Sequence, residues 1–170
     1  MPEDRSIHDV IEGLVPPLED ERFCNPVEAR KKAMDYLARR EHGRVELRNK
    51  LTKFGFDADI SDAAIERLID DGLQSDQRFA EAFIQSRINQ GKGPVRIRVD
   101  LSQRGVSDSV IDDGLHEANQ NWRALASEVR AKKFGAELPL DFKDKARQMR
   151  FLQYRGFEPD QIQSAVQSPR

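Results

Sequence analysis

Three features that could carry chemistry lie together in the stretch RINQGKGPVRIRVDLSQRG, residues 87–105. The segment Gly91-Lys92-Gly93 could form a phosphate-binding loop, the alternating apolar residues after it are typical of a half-buried strand, and its arginines could contact a polyanion. A P-loop requires Gly, four residues, Gly-Lys and then Ser or Thr. Ser86 and Gly93 occupy the two outer positions of that pattern. The segment is therefore interpreted as a turn between two elements.

The rest of the sequence offers little to suggest catalysis. The three histidines are scattered, with no cysteine or carboxylate at ligand spacing, so neither a metal nor another cofactor is expected. Asp70, Asp71 and Asp76 form a carboxylate cluster, but short exposed helices provide no pocket that would shift their pKa values. Asp76 is instead predicted to be a helix N-cap. The chain is predicted not to be an enzyme.

Three glycines mark an internal repeat of about fifty residues. Gly55, Gly105 and Gly156 are separated by 50 and 51 residues, and each follows a leucine by four residues. After each glycine comes a pair of apolar residues spaced i, i+4, as a helix requires. Each unit is predicted to contain three short helices, with the glycine as a left-handed C-cap of the second helix.

The predicted fold is all-α, an elongated tandem array of three three-helix units that resemble helix-turn-helix modules. Residues 1–25 form an acidic N-terminal extension compatible with disorder, and the repeats follow at 26–74, 75–120 and 121–170. The predicted helices cover 27–41, 45–54 and a third that starts at the N-cap Ser61, then 76–89, 94–104 and 107–119, and finally 122–134, 142–154 and 158–167.

The repeat also decides between strand and helix for residues 95–101. The equivalent stretch of the first unit holds Leu47, Leu51 and Phe54, which is helical spacing. On a helical wheel, one apolar arc is bordered by Val95, Ile97, Val99 and Leu101, and the outward side holds Arg96, Asp100, Gln103 and Arg104. Arg98 and its repeat equivalent Arg48 fall inside the arc, so both are predicted to bury their stems and pair with acidic neighbours.

Charge alternates in sign along the chain, although the formal net charge is only −2. Bases concentrate in the first two helices of each unit and acids around the third, so stacked units would extend a basic surface along one side. Such a surface attracts a phosphate backbone. Solvated helix faces with internal ion pairs contain similar numbers of charged residues, so charge alone does not decide between nucleic-acid contact and a solvated surface. The acidic third helices argue against insertion into the major groove and for an additional protein partner.

The sequence has no apolar run long enough for a membrane span and no basic-then-apolar leader. Cys24 is the only cysteine, which excludes an intramolecular disulfide and fits a reducing compartment. We therefore expect a cytoplasmic protein.

Two stretches resemble the RecX family of bacterial regulators. The first is AMDYLARREHGRVELRNKLTKFGF at 33–56. The second runs from 68 to 111 and combines an Asp-x-x-Phe-Ala motif at 76–80, the arginine at Arg87, the glycine-containing turn and an x-Ile-x-x-x-Leu-x-x-x-Gly helix. The third repeat matches less closely, and the acidic extension lies outside the motif.

The resemblance implies a monomeric regulator that binds the groove of the RecA filament on single-stranded DNA and dampens the recombinase, ATPase and coprotease activities of RecA. Contact with the filament or its DNA is assigned to outward-facing bases. These candidate site residues are Lys50, Lys53, Arg87, Lys92, Arg96, Arg104, Lys132, Lys133 and Arg147. Two other classes remain open: a stand-alone module that binds nucleic-acid backbones without RecA, and a helical scaffold that binds only proteins.

Overall fold

The computed structural model describes residues 21–168, which fold into helices joined by short turns. A 3-10 helix at Glu21–Cys24 precedes the α-helices of this range. These are α1 (Pro26–Arg39), α2 (Arg44–Phe54), α3 (Ala58–Asp70), α4 (Asp76–Asn89), α5 (Pro94–Gln103), α6 (Asp108–Ala118), α7 (Trp122–Phe134), α8 (Phe142–Tyr154) and α9 (Pro159–Val166). The described part of the chain contains no strand, so the predicted all-α fold is confirmed. Most of the acidic extension, residues 1–20, lies outside the described residues.

The second helix of each unit ends at the glycine that marks the repeat. Gly55, Gly105 and Gly156 have φ angles of 129°, 78° and 92°, a region that side chains other than glycine rarely enter. The N–H groups of Gly55 and of the residue after it both bond to the carbonyl of Leu51, which closes the last turn of α2. The predicted glycine caps are therefore present, and α5 begins at Pro94 as predicted.

Two predicted N-caps are wrong. Ser61 was expected to start α3, but the helix begins one turn earlier at Ala58 and leaves Ser61 fully buried on its core-facing side. Ser75, not Asp76, caps α4, and its hydroxyl accepts a hydrogen bond from the Arg78 N–H at 3.2 Å. Asp76 is thereby released to bond outside its own helix.

Apolar side chains form two cores in the described residues. The first repeat buries its own set, which includes Leu47, Leu51, Ile65 and Leu68. The second and third repeats share one continuous core, in which Ile84, Ile97 and Ile111 of repeat two belong to the same cluster as Leu152 and Ile162 of repeat three. Shared burial of this kind couples the two repeats, because neither can expose its face without loss of hydrophobic free energy.

The middle helices α8, α5 and α2 meet end to end. At the junction of repeats two and three, the N–H of Gly93 donates to the Arg155 carbonyl at 2.8 Å, and the N–H of Val95 donates to the Gly156 carbonyl at 2.9 Å. The carbonyls of the two residues that follow α8 therefore satisfy N–H groups at the start of α5. At the next junction, Gly105 at the end of α5 lies against Val45 at the start of α2.

The burial pattern of α5 differs from the predicted wheel. Only part of the expected apolar arc is buried: Ile97 and Leu101 are fully buried, whereas Val95 and Val99 are 46% and 45% exposed. Asp100, expected on the outward side, has a side chain that is only 15% exposed. The predicted arc was too wide because, among the described helices, only α4 and α6 pack beside α5, whereas α8 meets its start, and the sequence does not reveal these contacts.

Candidate nucleic-acid interface

The carboxylate of Asp100 on α5 gathers arginines from two helices. Its oxygens lie 3.7 Å from Arg87 Nε of α4 and 3.3 Å from Arg96 Nε of α5. Arg104, which follows α5, donates from Nη1 to the Asp100 backbone carbonyl at 3.0 Å. Asp100 thus contacts three guanidinium groups, two through its carboxylate and one through its backbone carbonyl, and its single negative charge neutralises at most one of them.

The ring of Phe83 contacts two of these arginines. The guanidinium carbons of Arg87 and Arg104 lie 4.5 Å and 4.8 Å from the centre of the Phe83 ring. A cation above an aromatic face is attracted to the ring electrons and keeps its N–H edges free for another acceptor. Arg104 is consequently half-buried rather than fully outward-facing, a difference from the prediction that follows from its place against Phe83.

Lys92 and Arg155 add two further positive charges at the same junction. Nη1 of Arg155 lies 3.5 Å from the Gln90 carbonyl, and its Nε is buried without a hydrogen-bond partner. Burial lowers the pKa of the Lys92 ammonium, and the positive charges of Arg155, Arg96 and Arg87 lower it further. Within residues 21–168, neither Lys92 nor Arg155 has a carboxylate at ion-pairing distance. The junction therefore holds an excess of positive charge that an anion would relieve.

Towards the first repeat, the positive charge continues through a small cavity of about 250 Å³ between α2 and the end of α5. Lys50 and Lys53 line it from α2, and Arg104 lines it from the other side. Glu46 is the acidic member of the lining. Burial acts to raise the pKa of the Glu46 carboxyl, but a hydrogen bond and the charge of Arg40 outweigh burial and lower it.

Towards the third repeat, Lys132 and Lys133 of α7 line a larger cleft together with Arg155. The Lys133 ammonium lies 5.9 Å from the centre of the Phe151 ring. Phe151 meets Phe134 edge to face at 5.3 Å, and the guanidinium of Arg147 lies 5.2 Å from the Phe134 ring. Arg147 also pairs with Asp144 at 2.8 Å, so it is the most neutralised cation at this end.

The structure thus connects all nine candidate residues through shared neighbours. We call the connected set the basic row; it consists of Lys50, Lys53, Arg104, Arg87, Arg96, Lys92, Arg155, Lys132, Lys133 and Arg147. Arg155 was missed from the sequence. The repeat itself contained the signal, because Arg155 directly precedes Gly156 just as Arg104 precedes Gly105.

Other arginines bind the acidic third helices of their own repeats. Arg48 Nε lies 2.6 Å from Asp62, and Arg98 Nη1 lies 2.7 Å from Asp112, which confirms the predicted pairing of this repeat position. Their side chains remain 43% and 46% exposed, so burial of the stems is less complete than predicted. These pairs join the second helix of each repeat to its third helix. Arg48 and Arg98 are therefore separate from the cations of the basic row.

Family models match each of the three repeats. The first three-helix domain of RecX matches residues 29–68, the second matches 75–115 and the third matches 123–166. The chain belongs to the RecX family. A family model thus also matches the third repeat, whose motifs resembled the family less closely.

Relatives agree with this membership, and solved structures share the fold. Regulatory protein RecX of Pseudomonas syringae pv. tomato is 47% identical over 137 residues, which cover 81% of this chain and 88% of the relative. That of Halorhodospira halophila is also 47% identical, with 81% and 85% covered. The crystal structure of RecX from Lactobacillus salivarius superposes with a TM-score of 0.67 at 24% identity, covering 83% of this chain and 94% of that one. A second crystal structure, of regulatory protein RecX, gives 0.72 at 19% identity, with 97% and 80% covered.

Within the described residues, no group of three or more His, Cys, Asp and Glu side chains could hold a metal ion. None of the helices there combines the length and the apolar character needed to cross a membrane. The RecX family is a family of regulatory proteins, and this chain carries its three-domain organisation.

Proposed function

We propose that this RecX-family protein binds the RecA filament on single-stranded DNA and modulates RecA, mainly by inhibition. The regulated activities are its recombinase, ATPase and coprotease activities in DNA repair, recombination and the SOS response. The protein would act as a cytoplasmic monomer, without a cofactor and without catalysis of its own. Family membership and the resemblance of its motifs to those of RecA regulators support this function.

The basic row is the structural observation that carries the nucleic-acid part of the proposal, and family membership carries the part that concerns RecA. It extends from α2 through α5 to α7 and α8, and so spans all three repeats. A filament groove is lined by protein and by DNA, and an elongated array of cations suits contact with successive phosphates. The third helices carry the acidic residues, some of which pair with Arg48 and Arg98. These helices give the protein a second surface of opposite sign, which suits the protein side of the groove.

The direct test measures RecA-driven strand exchange and ATP hydrolysis as the protein is added. Both rates should fall, and the protein should sediment with RecA filaments formed on single-stranded DNA. Unchanged rates at stoichiometric amounts would contradict the proposal.

Charge-reversal variants locate the effect. Arg96→Glu combined with Arg104→Glu should weaken inhibition, because both residues belong to the basic row. Arg67→Glu is the matched control, since Arg67 is an exposed arginine on α3 outside the row. Equal inhibition by both variants would favour a scaffold that binds RecA without using these cations.

The competing function is a nucleic-acid-binding module that does not depend on RecA. The cations of the basic row favour it, because they could contact phosphates of bare DNA equally well. Salt-dependent binding to bare DNA at physiological ionic strength, together with unchanged RecA activities, would support this alternative over the filament regulator.

A further inference from the structure

A cleft of about 740 Å³ lies at the junction of the second and third repeats. Its walls come from the end of α4, from α7 and from the end of α8. Cavities that hold small organic ligands commonly measure roughly 300–1,000 Å³, so the cleft has room for one nucleotide. The basic row passes along its edge through Lys132, Lys133 and Arg155.

The floor of the cleft is apolar. Ile88, Leu125 and Val129 are 7%, 8% and 9% exposed, the largest values in the core shared by repeats two and three. Their remaining exposed surface faces a cleft that also contains the half-buried ring of Phe151. A flat aromatic group placed here would cover apolar surface that the repeats themselves leave accessible to water.

Amide side chains on the rim retain free hydrogen-bonding groups. Nε2 of Gln85 donates to Asn89 Oδ1 at 3.0 Å, which leaves the Gln85 carbonyl and the Asn89 amide nitrogen available. Oε1 of Gln90 accepts from Arg87 at 2.9 Å, so the Gln90 amide nitrogen is available as well. The rim thus presents donors and an acceptor, the combination that the edges of nucleobases require.

The charge of the lining favours an anionic ligand. Lys132, Lys133 and Arg155 face Glu128, the single acidic residue of the lining. A phosphodiester joined to a base would place its charge near the cations and its ring over the apolar floor. An acidic peptide would match the charge but would leave the floor and the free amides without complementary groups.

We infer that this cleft binds one nucleotide of a single-stranded nucleic acid, with the base against Ile88, Leu125 and Val129 and the phosphate near Lys132, Lys133 and Arg155. The inference rests on the proposed function for the presence of single-stranded DNA. It adds a site that takes up a base, whereas the basic row needs only phosphates. Single strands expose unstacked bases, which a duplex does not offer without unpairing.

The experiment compares two labelled strands of equal length by fluorescence anisotropy at low salt, without RecA. One is oligothymidine and the other is an abasic strand with the same phosphates. The wild-type protein should prefer oligothymidine on the order of tenfold, since contact of one base with an aromatic ring such as Phe151 contributes roughly this factor. Gln85→Trp should abolish most of this preference by filling the cleft from its exposed rim.

Gln77→Trp is the matched control, because Gln77 is an exposed glutamine on the same helix and does not line the cleft. It should keep the wild-type preference, and circular dichroism should be equal for both variants. Three results would overturn the inference: no measurable binding of oligothymidine, equal affinity of the wild type for both strands, or a preference that Gln85→Trp retains.

A protein occupant gives its own pattern. Polyglutamate that binds the wild type but not Gln85→Trp, without any preference for bases, would assign the cleft to an acidic protein segment and reject the nucleotide. The strand assay omits RecA, so its result is independent of the proposed function. A preference for bases without an effect on RecA activities would overturn the proposed regulatory function and retain the nucleotide site. An effect on RecA activities without a preference for bases would retain the regulatory function and overturn the nucleotide site.

Discussion

Gly93 lies in direct contact with the backbone of Gly156: a Cβ atom built on Gly93 would be 2.3 Å from the Gly156 carbonyl oxygen. The φ angle of Gly93 is −84°, so alanine would suffer no backbone strain there. Gly93→Ala should therefore destabilise the protein only because the added methyl group forces repeats two and three apart. Overpacking of this kind costs about 1–3 kcal/mol in the free energy of unfolding, which urea denaturation measures.

The equivalent glycine of the first repeat provides the comparison for this variant. A Cβ on Gly43 would be 3.0 Å from the Phe79 side chain, which can move more easily than backbone. Gly43→Ala should therefore cost less than Gly93→Ala. Equal losses would indicate that the junction of repeats two and three is as adaptable as the side chain of Phe79.

Asp76 links the first two repeats through its carboxylate. Oδ1 accepts from the N–H of Arg44 at 2.7 Å and from Gln74 Nε2 at 3.0 Å, and so caps the start of α2 from outside that helix. Asp76→Ala should lower the free energy of unfolding by about 1 kcal/mol, as for loss of an N-cap. Asp70→Ala, at an exposed acid of α3, should change it little. A cost no larger than that of the control would argue against the cap.

Local signals allowed much of the fold to be predicted. The predicted bounds of α7 and α8 are those observed, because Asn121 and Asp141 supply side-chain caps immediately before each helix. Gly135 follows the last residue of α7 at a positive φ angle. Such signals act between residues a few positions apart, and they are visible in the sequence itself.

Contacts between distant residues were the part that could not be predicted. The role of Asp76 depends on Arg44, 32 positions earlier, and the inward place of Asp100 depends on Arg87 of another helix. Charge alternation identified the candidate cations but did not show that Phe83 would hold Arg104. The packing of one helix against the next decides these positions, and a helical wheel describes a single helix in isolation.

Lys92 should behave as a cation that contacts phosphate. Its charge is close to those of Arg87, Arg96 and Arg155, and a bound anion would relieve their mutual repulsion. Lys92→Gln should weaken binding to single-stranded DNA and reduce the slope of log K against log salt concentration by about 1. Lys143→Gln, at an exposed lysine of α8, should leave the slope unchanged. An unchanged slope in Lys92→Gln would remove Lys92 from the interface.

His42 should make stability depend on pH. The side chain is 2% exposed, and burial lowers the pKa of the imidazole below its ordinary value of 6.5, although a hydrogen bond to the Arg40 carbonyl offsets part of this effect. The charges of Arg40 and Lys50 also lower it, and that of Glu46 raises it. In the unfolded chain, by contrast, the exposed ring takes up its proton near pH 6.5.

The unfolded state therefore binds more protons than the folded state between the lowered pKa and 6.5. Stability is retained above this window and is lost as pH falls through it, with a slope of at most about 1.4 kcal/mol per pH unit.

Urea denaturation at a series of pH values should reveal this loss in the wild type. His42→Gln should flatten the profile within the window, whereas His116→Gln, at an exposed histidine of α6, should not. Glu46, with its lowered carboxyl pKa, contributes a separate loss only below its ordinary value of 4.5, so the two transitions can be distinguished. A profile that remains steep between pH 6.5 and that lower range in His42→Gln would assign the dependence to another group.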